Sequence, residues 1–184
     1  MLTVKERGQF VATLRYVYVA IMETLSAWVP TAPEMEAKLL FGEHIWDAAQ
    51  HADTLGKRTF ELRMPLQKSI RPAEGYVDFL AAVAAIGPTP QRLAAMYDVL
   101  LPALAARQQR YIDSTDKLVD APTVRILQRY LADNARMLDS ARALRDELPA
   151  LQLNDGPWVA ALQKREAGLE LVASAMPEAV AAEA

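Results

Sequence analysis

The chain has 184 residues, 52% of them hydrophobic, a net charge of −3 and no cysteine. That length suits a single domain able to bury about two-thirds of its unfolded surface without a disulfide or metal staple. The missing cysteines exclude disulfides, thiolate metal sites, iron–sulfur clusters and cysteine nucleophiles. The acidic balance argues against a nucleic-acid binder, which presents a basic face.

Helix formers dominate and Gly is scarce, at 7 residues, so the elements read as helices bounded by prolines and caps. The first runs from about Thr3 to Trp28 and stops before Val29-Pro30. Its most apolar stretch, Tyr16 to Met22, falls short of the ~20 residues that span a bilayer. No basic flank with an apolar signal core opens the chain, so a cytoplasmic protein without membrane contact is expected. Thr31-Ala-Pro33-Glu34 reads as a capping box, with Thr31 as N-cap of a second helix reaching about Arg63. Met64 to Pro90 reads as a long crossover containing a short apolar helix, Tyr76 to Ile86. Thr89-Pro90 opens a third long helix ending near Lys117. Asp120 then opens a fourth, running to about Leu148 before Pro149. A fifth begins at Asn154-Asp-Gly-Pro157 and leads into an Ala/Glu-rich tail, expected to fray from about residue 176. Residues 1–184 form one domain, with Leu151–Gly156 the only candidate linker. Two long helices, one long crossover and two more long helices is the connectivity of a ferritin-like up-down four-helix bundle, here with an added C-terminal helix.

Chemistry in such a bundle falls to polar side chains on the inward stripe of each helix, spaced alternately by three and four. On the second helix that stripe passes through Ala37, Leu40, His44, Asp47, His51 and Leu55. Both histidines of the chain thus share one face, with Asp47 between them. Polar groups in a core seam must be hydrogen-bonded, charge-paired or bound to something. Two imidazoles and a carboxylate suit one Fe, Mn or Zn ion. The same trio equally makes a satisfied core cluster, each ring held by Asp47, a carbonyl or a tyrosine. Glu23, the only acid between Glu6 and Glu34, is a further candidate ligand, though it lies about 140° from the strongest apolar face of its helix. Pairing with Arg15 is its competing reading.

A two-metal centre needs Glu-x-x-His on each of two helices, and no Glu-x-x-His occurs in the chain. The third helix brings Tyr97, Leu104, Gln108 and Tyr111 inward, and the fourth Leu127, Tyr130, Asn134, Met137 and Ala141. Those are phenol, amide and thioether groups, which cannot cage a second ion. Tyr16, Tyr18, Trp28 and Trp46 read as packing groups. Arg107, Arg110, Arg125, Arg129 and Arg136 read as a solvated face interleaved with Asp. Apolar residues on more than one face of the first and fifth helices, including Val11, Met22, Trp158 and Leu162, point to a homodimer. There is no glycine-rich phosphate loop and no nucleophile elbow.

Two stretches, KLLFGEHIWDAAQHADTLGKRTFELR (Lys38–Arg63) and STDKLVDAPTVRILQRYLADNARML (Ser114–Leu138), resemble a bacterial group of uncharacterised ferritin-like proteins. Members carry Ala-Glu-His-Ala-Asp where this chain has Ala49-Gln50-His51-Ala52-Asp53, and an acidic pair near Asp133-Asn134. The resemblance implies a ferritin-like bundle and a non-haem iron oxidase or oxygenase role. His44 and His51 match, while Gln50 and Asn134 stand in place of acids. Two functions therefore stand side by side. One is a ferritin-like protein with a degenerate site for one metal ion, acting as a mononuclear non-haem oxidase or oxygenase. The other is a metal-free bundle that binds a small molecule or another protein.

Overall fold

The computed structural model describes residues 2–173, and within them the chain is all-helical, without a strand. The frayed tail expected from about residue 176 lies outside the described residues. Helix α1 spans Val4–Trp28 and starts on a capping box: the Glu6 N–H donates to the Thr3 hydroxyl and the Thr3 N–H to the Glu6 carboxylate. These two bonds satisfy amides that a helix start otherwise leaves open. Val29–Thr31 continues it as a 3₁₀ turn. The capping box expected at Thr31 does not form. The Thr31 hydroxyl instead donates back to the Trp28 carbonyl at 3.2 Å, serving the end of α1. Helix α2, Met35–Glu61, is capped by Glu34 in extended backbone.

The next segment is tied to both helices before it. Gln67 takes positive φ, its N–H donates to the Gly56 carbonyl, and its side-chain amide donates to Asp53. Arg15 of α1 donates to the Gln67 side chain and to Ser69. A Cβ at position 56 would stand 1.9 Å from the Gln67 amide oxygen and would push that side chain off Asp53 and Arg15. Helix α3, Glu74–Ala84, packs on α1.

The third long helix is continuous but irregular. It comprises α4 (Thr89–Leu93), a π-helical stretch over Ala94–Leu100 and α5 (Leu101–Ser114). Pro102 has no N–H to offer the Asp98 carbonyl one α-turn earlier, and that carbonyl accepts from the Gln163 amide instead, at 3.0 Å. The wide turn went unread in the sequence, though Pro102 was its signal. Helix α6 spans Ala121–Glu147, and α7 spans Gly156–Ala167 with Asp155 as its cap. The Asp120 side chain does not cap α6, as its position suggested, but turns into the core. Arg107 joins α7 to α5 through Glu166.

The core forms where α1 lies along α2, α2 meets α6, and α6 meets the α4–α5 helix. Val4–Thr31 is long and apolar enough to cross a membrane by length and composition, contrary to the reading from Tyr16–Met22. Half of its most apolar window is buried inside the protein.

Candidate functional site

The inward stripe of α2 is as its periodicity requires: His44 and His51 are both buried, and Phe41 and Ala48 lie at the centre of the apolar face. The two rings do not share a partner. His44 Nδ1 lies 2.8 Å from the Tyr97 hydroxyl, in the π-helical stretch. His51 Nε2 lies 3.0 Å from an Asp133 oxygen, and the ring stacks on Tyr130 with centroids 3.8 Å apart. The Tyr130 hydroxyl donates to the His51 carbonyl, which fixes that turn of α2 against α6. Tyr18 of α1 meets the His51 ring edge-on and accepts a hydrogen bond from the Gln108 amide at 2.7 Å.

Burial lowers the pKa of both histidines. His44 falls to about 4, with the Asp47 charge opposing the fall and Arg136 adding to it. For His51, Asp133 opposes the desolvation without cancelling it. Both rings are therefore neutral at pH 7. A neutral His51 that donates from Nε2 to a carboxylate keeps a bare lone pair on Nδ1. That Nδ1, His44 Nε2 and the Gln108 oxygen are buried without a hydrogen-bond partner among the described residues, and the buried Asn134 amide has the Tyr18 hydroxyl beside it. Unpaired polar atoms so concentrated are rare in a native core.

Asp47 stands at the edge of the stripe, half-buried, and is not offered to the histidines. Arg136 of α6 holds it at 2.8 Å, reaches Glu43 at 3.2 Å, and lies 3.9 Å from Asp133. One guanidinium thus stands among three carboxylates at the edge of the seam. Arg136 and Glu43 are both exposed, so Arg136 does lie on a solvated face interleaved with Asp; the pairing across to α2 is what the sequence did not show. The signal was Asp133 and Arg136 flanking the inward Asn134 and Met137 at helical spacing.

Glu23 lies elsewhere. It is exposed and lines a groove against α3 with Tyr16, Ala20, Val77 and Leu80. Arg15, its proposed mate, is engaged by Gln67 and Ser69. Gln50 is exposed too, so an acid at that position would point away from the seam. Among the described residues no group of three or more His, Asp or Glu side chains is placed to hold one ion. The seam offers two imidazole nitrogens and amide oxygens, with Asp133 against His51 and Asp47 paired to Arg136.

The outer face of α2 is the second unusual feature. Met35, Leu39, Trp46 and Phe60 are each more than 60% exposed, and at about 100° per residue they fall with Gly42 within an arc of about 60°. Trp46 is therefore not the packing group its aromatic character suggested. A Cβ at Gly42 would meet no atom within 4 Å, so an open notch lies one turn from the Trp46 indole. The apolar residues expected to drive dimerisation are used within the chain: Val11 is fully buried, and Met22, Trp158 and Leu162 pack on the core. No protein-family model, curated protein or solved structure matches this chain.

Proposed function

We propose that this protein is a ferritin-like four-helix bundle, with residues 64–90 as its long crossover, that works as a metal-free interaction module. Its contact surface is the outer face of α2 and its partner a second copy of the chain. The observation that carries this reading is the exposed patch of Met35, Leu39 and Trp46, from which the Asp53–Lys57 ion pair separates Phe60, since large apolar side chains so grouped mark contact sites. The engagement of Asp47 by Arg136 agrees with it, because that carboxylate already has a partner. A two-fold pairing requires a self-complementary patch. Antiparallel α2 helices supply one, by laying each Trp46 over the other copy's Gly42 notch.

Sedimentation of the wild type should show a monomer–dimer equilibrium. Trp46→Glu should weaken it at least about tenfold, the loss expected of a central aromatic anchor. Gly42→Phe, filling open space, should block pairing while leaving the thermal transition of the monomer intact. A wild-type monomer at high concentration removes the reading.

A second reading rests on the unpartnered His44 Nε2 and His51 Nδ1. It places one Fe, Mn or Zn ion in the seam, as in a degenerate non-haem oxidase or oxygenase. Tag-free protein should then retain about one equivalent of metal, not two, because Gln108, Asn134 and Met137 lack the carboxylates a second ion needs. His44→Ala or His51→Ala should abolish it, and Met137→Ala should leave it unchanged. Metal-free protein that self-associates leaves the first reading standing alone.

A further inference from the structure

We propose that the cleft at the junction of α1, α5 and the C-terminal segment binds a small monocarboxylate with a flat apolar body. The cleft measures about 450 Å³ and is lined by Leu2, Phe10, Tyr111, Leu171 and Val172 beside Arg107 and Arg110. That volume lies in the range of small-molecule sites, which combine apolar walls with a few polar groups. One wall is built flat: the Phe10 and Tyr111 rings stack with centroids 4.1 Å apart and planes 13° from parallel. The Tyr111 hydroxyl is spent on Asp120, which fixes the buried ring that backs the half-buried Phe10.

Charge selects the ligand's sign. Arg107 is engaged by Glu166 and by the Leu169 carbonyl. Glu6, the one acid lining the cleft among the described residues, is engaged by the Thr3 hydroxyl and amide. Arg110 is exposed and makes no ion pair among the described residues. A carboxylate meeting that guanidinium in the fork geometry arginine favours would place an attached ring along the apolar wall. The cleft shares no residue with the outer face of α2, so neither proposal depends on the other.

Titration calorimetry with 1-naphthoate and its neutral counterpart 1-naphthalenemethanol tests the site. The acid should bind at least about tenfold more tightly than the alcohol. Arg110→Glu should abolish that preference, whereas Arg125→Glu, an equal change of charge on the exposed face of α6, should leave it intact. Absence of naphthoate binding, equal affinity for acid and alcohol, or an Arg110→Glu protein that binds like the wild type would each overturn the proposal.

Discussion

Replacing Asp120 by Ala should cost about 3–5 kcal/mol of stability, the range for stripping one partner from a buried ion pair. Asp120 is fully buried and accepts four hydrogen bonds: from Arg58 at 3.0 Å, Thr123 at 2.6 Å, Tyr111 at 2.6 Å and Thr115 at 3.2 Å. Arg58 is itself buried. Without the carboxylate its guanidinium keeps only Glu61, at the solvent edge, and the Thr123 hydroxyl. Three hydroxyls also lose their acceptor. The network joins α2, α5 and α6 at one end of the core, so the loss should appear as one cooperative shift in urea unfolding. Asp120→Asn, which keeps the shape and part of the hydrogen bonding, should lose clearly less. A drop under about 1 kcal/mol in Asp120→Ala, typical of a surface change, would mean that the ion pair is not a support of the fold.

Acid should unfold the protein through its buried histidines. The His44 pKa moves from 6.5 to about 4, chiefly by burial. With the folded-state value the lower one, the unfolded chain takes up the proton first as pH falls. The stabilisation is whole above about pH 6.5, drains between there and about pH 4, and is gone below it. His44 alone accounts for about 3 kcal/mol, at about 1.4 kcal/mol per pH unit, and His51 acts in the same direction. Urea titrations at pH 7, 5.5 and 4.5 should show the fall. His44→Gln, which retains a hydrogen-bonding group opposite Tyr97 but does not titrate, should flatten it. An identical acid dependence in the variant would remove His44 as its source.

The helices were legible because periodicity and punctuation agreed. Thr3, Pro90, Asp120 and Asp155 stand at element starts, and the inward positions of α6, from Leu127 through Asn134 to Ala141, are buried as their spacing requires. The seam was half legible. Its histidines could be placed on one face, but what they touch depends on Tyr97 and Asp133, far away along the chain. Arg136 is solvated as read, but the acids of α2 that it pairs with lie far away along the chain. Trp46 was misread because aromatic character does not say which face of a helix meets water. Thr31 fits a capping pattern, yet the end of α1 claims its hydroxyl.

The wide turn over Ala94–Leu100 acts as a slack link in the third long helix. A π turn holds about one residue more than an α turn, so the spare residue is taken up locally and the α-helix beyond it keeps its facing. Tyr97 meets His44 from within the turn, and Gln108 meets Tyr18 from beyond it. Both polar contacts thus reach a single seam, although the helix carries one residue more than regular α geometry would place between its ends.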